Sequence, residues 1–418
     1  MTNQTPCYDQ KNNSSMLTVE QTLINIRNNI ERITTVQEQQ IRDALGYVLA
    51  EDVISDIEVP PHRNSAMDGY AIISNDLSSG EKIQLKVVGT SFAGNPYQGN
   101  VKPGECIRIM TGAMMPEDCD AVVMQEQTER VGDDLTMGNN HRAGENVRFP
   151  GEDIKKGSVV LAANKKISPA DLGLLSSIGI GKVKTFDKPK IAFFSTGDEL
   201  KSVGETLGPG DIYDSNRYTL FGMLTKMDVE LQDLGVIADK KDLIKETLVN
   251  AADAADMVIT SGGASVGEAD FISEILAEIG DVNFWKIAMK PGKPLAFGHI
   301  NRTPFFGLPG NPVSVMATCY LFVQPAIQQL KGCESESQLK NHAKLGNDLK
   351  KAPGRTDFQR GILSQSKTNE LIVSTTGMQG SHILTSMSIA NCFIVLPQES
   401  GNVKKDEMVE ILPFNDII

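Results

Sequence analysis

Four acidic residues, Asp198, Glu199, Asp239 and Asp270, each fall just beyond an apolar run of the sequence. IAFFS leads into Thr196-Gly197-Asp198-Glu199, VELQDLGVI into Asp239, and DMVIT into SGGASVG and then Asp270. Carboxylates gathered beside a phosphate suit a hard cation such as Mg²⁺, which takes oxygen ligands from protein and substrate together. Taken singly, each acid reads equally well as a helix cap or a solvated loop residue. SGGASVG (261–267) offers the companion chemistry. Its glycines let backbone N–H groups turn towards an oxyanion, and a helix starting there adds partial positive charge. Ser261, Gly262, Gly263, Ser265 and Gly267 are therefore a candidate phosphate cradle, with a flexible tight turn as the other reading. Pro309-Gly310-Asn311-Pro312 repeats the pattern after PFFGL. Lys286, inside the run NFWKIAM, and Lys290 and Lys293 after it would balance an anionic substrate. Pro291 and Pro294 stiffen that loop and lower the entropy lost on binding; a solvated basic loop is the alternative. The 5 histidines show no metal spacing, and no nucleophile–base–orienter set is visible. These residues support a metal-assisted attack on a phosphoryl group without a covalent intermediate.

The elements that must position these groups alternate. From about residue 189 to 336, strand-like runs (IAFFST, VELQDLGVI, DMVITS, NFWKIAM, PFFGL) are separated by helical ones (NRYTLFGMLTKM, KDLIKETLVNAADA, EADFISEILAEIG), closed by the apolar VSVMATCYLFVQPAIQQL with Pro325 inside it. That rhythm predicts a three-layer α/β domain with a mostly parallel sheet, whose ligands sit beyond the carboxyl ends of the strands. Residues 56–157 are short alternating runs between Gly, Pro and Asn turns and predict a small inserted β-domain. Segments 16–55 and 158–188 bracket it and read as a discontinuous, helical linking domain. Helices are expected in LTVEQTLINIRNNI, in VQEQQIRDALGYVLA, and in SPADLGLLSSIGIG, where Ser168 caps and Pro169 starts the helix. Residues 337–418 predict a C-terminal β-barrel-like domain. The fold class is multidomain α/β plus β.

The 418 residues carry 40 Lys+Arg against 53 Asp+Glu, a formal net charge of -13. Nucleic acid and acidic membranes are poor partners for such a surface, because phosphate backbones are held by basic residues that release counterions. The 6 cysteines are scattered, without a C-x-x-C pair, and read as free thiols in a reducing cytosol. No apolar run approaches the roughly 20 residues of a membrane span. Residues 1–15 read as a disordered polar tail, with no secretory signal, and the expected location is cytoplasmic.

Motifs along the whole chain after that tail resemble the molybdopterin molybdenumtransferases, enzymes similar to the cofactor-synthesising region of gephyrin. They are NSAMDGYA (64–71), RIMTGA (108–113), FSTGDEL (194–200), IYDSNR (212–217), SGGASVGEADF (261–271), FWKIAMKPGKP (284–294), GLPGNPVS (307–314), PGRTDFQRG (353–361) and GSH (380–382). The resemblance implies an elongated homodimer whose active site lies between the α/β domain of one subunit and the inserted β-domain of the other. It implies that adenylyl-molybdopterin and molybdate give molybdenum cofactor and AMP, with Mg²⁺ as cofactor. Asp198, Glu199, Asp239 and Asp270 would handle metal and phosphate chemistry, and the glycine loop would cradle the pterin phosphate or AMP moiety. Lys286 and Lys290 would hold anionic groups. Asp68, Thr111 and Arg148 would complete the site, and Arg360 and Ser381 match positions used near the pocket. The adenylyltransferase that makes the adenylylated intermediate is a possible partner. It is also a rival reading, since its single domain is similar to the α/β segment; a non-catalytic scaffold of the same fold is the second rival. The three flanking domains and the intact acid cluster favour the transferase.

Overall fold

The structure is a computed structural model that describes residues 16–77, 82–262, 271–333, 341–415 and 417–418. The chain divides into two compact units, Met1–Gln37 with Phe186–Ile418, and Glu38–Thr185.

The first unit is built on a six-stranded sheet in the order Glu230–Ile237, Lys190–Thr196, Met257–Ser261, Thr303–Leu308, Pro294–Ile300, Gly280–Lys286. The first four are mutually parallel. The last two join by antiparallel hairpin pairing, so the sheet is mostly parallel, as expected. Residues 191–195 are buried without a break, because helices cover both faces. Ile191 and Phe193 point into one core with Leu220, Phe306 and Val315; Ala192 and Phe194 point into the other with Ile244, Leu248 and Ile275. The apolar helix Pro312–Thr318 widens into a π-helical turn over Cys319–Val323 before Gln324–Leu330. Pro325 lacks an N–H and its ring crowds the preceding turn, and the wider turn accommodates both.

In the same unit, five strands close into a barrel: Asn341–Leu345, Thr356–Gln365, Leu371–Thr375, Cys392–Leu396 and Met408–Pro413. Closure comes from the long strand Thr356–Gln365, which pairs with Leu371–Thr375 on one side and Cys392–Leu396 on the other. Closing the ring removes free strand edges. Met289–Lys290, from the α/β segment, adds to Thr356–Gln365 in parallel and so ties the two parts together.

The second unit contains another six-stranded sheet, ordered Ala121–Met124, Gly69–Ile72, Glu105–Ile109, Lys82–Ser91, Asp134–Gly138, Thr128–Val131. Alternate residues feed two cores: Tyr70, Ile72 and Val123 on one side, Ala71, Ile107 and Val122 on the other. A third core packs Ala44, Leu49 and Val53 with Leu161, Ile167 and Leu175. Helix Pro169–Ser177 forms with the expected cap, the Ser168 side chain accepting from the Asp171 N–H and Asp171 answering in a capping box.

The linking segment differs from expectation. Val36–Gln40 is a strand, and residues 41–50 are turns and bridges rather than a helix. Their backbone is satisfied elsewhere: Gly46 N–H donates to Ile167 O and Leu49 N–H to Lys165 O, both at 3.0 Å. Ala44 and Leu49 are fully buried in that arrangement, so packing against 161–175 overrides the helical spacing. The helix Val19–Arg27 does form, but Ile26 and Ile30 pack into the α/β core and not with 158–185. The strand Pro294–Ile300 was not expected from its sequence, which opens on the Pro-Gly-Lys-Pro loop.

Candidate functional site

Register sets the site. Ser195, Ser261 and Leu308 lie side by side at the carboxyl ends of three parallel strands, so the loops that follow start level. Ser261 itself is 3% exposed and lies beneath the surface. Gly262 has φ +97°, and a Cβ there would stand 3.0 Å from the Thr196 carbonyl oxygen. Its N–H donates to Leu308 O at 3.2 Å. Both the conformation and the close approach require glycine.

The acids gather at the neighbouring strand ends. Asp239 N–H donates to Asp198 Oδ1 at 3.2 Å, and the Thr196 hydroxyl lies 3.5 Å from Asp239 Oδ1. Glu199 folds back over Gly197, where an added Cβ would fall 2.7 Å from its carboxylate. Burial pushes the Asp239 carboxyl above its ordinary range, and the charges of Asp198 and then Glu199 push it further, against the Thr196 hydrogen bond. Among the described residues none of these three acids has an ion-pair partner, and no group of three His, Cys, Asp or Glu has metal-holding geometry. Gly263, Ser265, Gly267 and Asp270 lie outside the described residues.

Next to Gly262 opens a cleft of about 740 Å³. Its α/β wall is the loop from Lys290 to Pro294, the turn Pro309-Gly310-Asn311, and Ser314; its barrel wall is Arg355, Gln379, Gly380 and Ser381. Asn216 of the IYDSNR motif donates to Gly310 O at 2.8 Å and fixes the turn. Val313 N–H donates to Ser381 O at 3.1 Å, joining the two walls. Gly292, at φ +95°, packs so closely on the Pro312 helix that a Cβ would meet Thr318 at 2.7 Å. Lys290 faces the buried carboxylate of Asp357 at 3.8 Å.

Gly262, Lys290, Lys293, Pro309, Gly310, Asn311 and Ser381 thus share one cleft. Arg360 stands behind it. Only 1% exposed, it donates from Nε to Ser386 Oγ at 3.0 Å and from Nη2 to Gly380 O at 2.9 Å, holding the 379–381 loop from below. Burial lowers its guanidinium to about 10, with Asp357 opposing. Lys286 is exposed at the end of the sheet's last strand and is not part of the cleft wall. Arg355 and Gln379 line the cleft without having been singled out from sequence. Arg355 sits in the PGRTDFQRG motif, whose Pro-Gly turn was the available signal.

In the second unit, Asp68 Oδ1 accepts from both the N–H and the hydroxyl of Thr111, each at 2.7 Å. Those bonds, with Arg108 adding its charge, hold the Asp68 carboxyl below its ordinary range. Arg148 is exposed and pairs with Asn64 on the short strand leading to Asp68. Ser65 O accepts from Gly112 N–H and Ala66 N–H donates to Asn146 O, so the segment around Asp68 is held on both sides.

Residues 17–179 match the family described as MoeA N-terminal region (domain I and II), 192–329 a probable molybdopterin binding domain, and 342–414 the MoeA C-terminal region (domain IV). The molybdopterin molybdenumtransferase of Haemophilus influenzae is 44% identical over 96% of this chain and 100% of its own. Gephyrin of Dictyostelium discoideum is 34% identical over 94% of this chain and 60% of its own. The crystal structure of the molybdopterin biosynthesis moeA protein from Pyrococcus horikoshii OT3 superposes with a TM-score of 0.84 at 30% identity, covering 96% of this chain and 100% of that one.

Proposed function

The chain belongs to the molybdopterin molybdenumtransferase family, and from that premise we propose that it exchanges the adenylyl group of adenylyl-molybdopterin for molybdate and releases AMP. This is the final step in making molybdenum cofactor. The observation that carries the reading is the shared strand-end site, which sets an unneutralised acid cluster beside a cleft lined by Lys290, Lys293 and Arg355. Phosphate-bearing and oxyanionic substrates need both kinds of group.

Asp198, Glu199 and Asp239 supply the oxygen donors that a hard cation takes and have no ion-pair partner among the described residues, though the three do not by themselves form a metal-holding group. Asp198, Glu199 and Asp239, with Asp270, would hold Mg²⁺, which when bound offsets phosphate charge and polarises the phosphoryl group. The glycine turn that begins at Gly262 lines the cleft. Lys290 and Lys293 attract the anionic ends of the two substrates, and Arg360 keeps Gly380 and Ser381 in place against them. Asp68, oriented by Thr111, and Arg148 serve the same reaction. The protein would act as a cytoplasmic homodimer, receiving its substrate from the adenylyltransferase. Among the described residues no helix is long and apolar enough to cross a membrane.

The test is an assay of purified protein with adenylyl-molybdopterin, Mg²⁺ and molybdate. AMP release that depends on molybdate is expected. Pyrophosphate release from ATP and molybdopterin would instead identify an adenylyltransferase, and no turnover in either assay would leave only the scaffold reading.

A further inference from the structure

We propose that Arg217 is the positioning residue of the acid cluster, a strut that fixes the separation between the segment carrying Glu199 and the strand carrying Asp239. It touches neither acid and acts through Asp214 and Asp233. The inference rests on the proposed function for the cation and the reaction that the acids serve.

The acids need a restraint, because the charges of Asp198 and Glu199 oppose that of Asp239 across neighbouring strand ends. Strand Glu230–Ile237 reaches them through an irregularity. It pairs Asp233 with Phe193 but Val236 with Ser195, so Leu234 and Gly235 together stand opposite Phe194. This bulge reverses the alternation of side chains. Leu231 packs into the core of Leu220, whereas Leu234 and Ile237, three residues apart, both pack into the core of Ile244. Without the bulge Asp239 would stand one residue, roughly 3.3 Å, out of register. With it, the Asp239 N–H reaches Asp198 Oδ1 at 3.2 Å.

Arg217, in the first turn of helix Ser215–Lys226, clamps this bulge. Its Nη1 donates to Asp233 Oδ1 at 3.2 Å and Oδ2 at 3.1 Å, and Asp233 Oδ1 also accepts from the Gly235 N–H at 3.0 Å. The other edge of the guanidinium turns to the helix cap. Arg217 Nε faces Asp214 Oδ2 at 3.5 Å, and neither atom has a hydrogen-bond partner among the described residues. Asp214, its side chain 1% exposed, ends the short strand Ile212–Tyr213, which pairs with Leu200–Lys201. There Ile212 N–H donates to Glu199 O at 2.8 Å and Asp214 N–H to Lys201 O at 3.1 Å. One guanidinium thus spans the two acid-bearing segments. Its planar fork holds two carboxylates at a set angle, which an ammonium on a flexible stem does not. The pair of Lys245 with Glu278, at 2.8 Å, joins two exposed side chains on other helices and makes no such link.

Arg217→Met, Arg217→Lys, Asp233→Asn, the double variant of Arg217→Met with Asp233→Asn, and the control Lys245→Met would be compared as full-length proteins. Mg²⁺ would be titrated calorimetrically, and molybdate-dependent AMP release measured beside the thermal midpoint. Arg217→Met should weaken Mg²⁺ binding by about ten- to a hundredfold, the usual cost of removing a group that orients a metal's ligands. The value of kcat should fall by a similar factor while KM stays within about twofold, because the displaced acids act in the transition state. Asp233→Asn should lose nearly as much, the double variant no more than Arg217→Met, and Arg217→Lys less. Lys245→Met should keep the parent's Mg²⁺ affinity and kcat. Parent-like Mg²⁺ affinity and kcat in a folded Arg217→Met overturn the proposal, as do additive losses in the double variant or equal losses in Lys245→Met. If Arg217→Met does not fold, Asp233→Asn decides by the same criteria. A parent that releases no AMP, but whose Mg²⁺ affinity still falls with Arg217→Met, would sink the proposed reaction and leave the strut standing. AMP release by the parent, with kcat and Mg²⁺ affinity unchanged in Arg217→Met, would do the reverse.

Discussion

In the proposed reaction Glu199 and Asp239 act as charges, and charge can be removed without changing shape. Glu199→Gln should leave substrate affinity intact while molybdate-dependent AMP release falls by about 10²-fold or more, because the lost interaction is used in the transition state. A folded variant that turns over at the parent rate would make Glu199 an ordinary loop acid. Asp239 gives a pH-dependent test. Its carboxyl is raised above 3.8, so between 3.8 and that higher value the folded chain holds more protons than the unfolded one. The folded state is therefore favoured as pH falls through that window and penalised above it, where Asp239 is charged beside Asp198 and Glu199. A cation needs the charged form. Mg²⁺ should raise the thermal midpoint at pH 7.5 and do so progressively less as pH falls through that window. Asp239→Asn should raise the midpoint without Mg²⁺ at pH 7.5 and abolish the response to it. An equal Mg²⁺ response in parent and variant would take Asp239 out of the cation site. These acids were legible in sequence because strand ends mark them. Arg355 was not, because its place depends on the pairing of Lys290 with Asp357, a contact between distant segments that no local pattern announces.

Elements were legible where one pattern admitted one structure. Ser168-Pro169 specifies a helix start, and the expected cap forms, with Asp171 completing a capping box. Asp171 also takes a hydrogen bond from Lys165 Nζ at 2.5 Å. Burial favours its neutral form, but the bonds from Lys165 and Ser168 outweigh burial and keep the carboxyl below its ordinary range. Ser168→Ala should destabilise the protein by about 1 kcal/mol, the usual cost of a lost N-cap. The loss should appear in urea as a lower midpoint for the unit Glu38–Thr185; an unchanged midpoint would mean that packing alone holds the helix. Residues 36–50 show the opposite case. Val36, Ile41, Leu45, Val48 and Leu49 fit a helical stripe, yet Gly46 adopts φ +81° and the backbone bonds to 165–167 instead. Spacing alone could not see that partner segment. The alternation from Lys190 to Ser261 was read correctly because continuous burial on two faces leaves little freedom in how such runs pack, whereas the strand Pro294–Ile300 was missed.

At the scale of the molecule, the architecture was readable from changes of rhythm along the chain, but which chain serves which site was not. Asp68 with Thr111 belongs to the unit Glu38–Thr185, and Glu199 to the unit that contains the cleft. The proposed homodimer supplies the two from different subunits, and mixing variants tests this directly. Asp68→Ala and Glu199→Gln should each be inactive as homodimers. In a heterodimer, the Asp68→Ala chain keeps Glu199 and the Glu199→Gln chain keeps Asp68. If the two residues act across subunits, one of its two sites regains both native groups. Random exchange makes half the dimers mixed, so activity should recover to about a quarter of the parent, as two-fold symmetry requires. If both residues act within one chain, every site in the mixture lacks one of them and nothing is recovered. Unfolding, subunit exchange at micromolar concentration and refolding of the mixed variants, followed by AMP release, separates the outcomes. No recovery from a mixture shown by mass to contain heterodimers would place Asp68 and Glu199 in the same subunit's site and end the shared-site proposal.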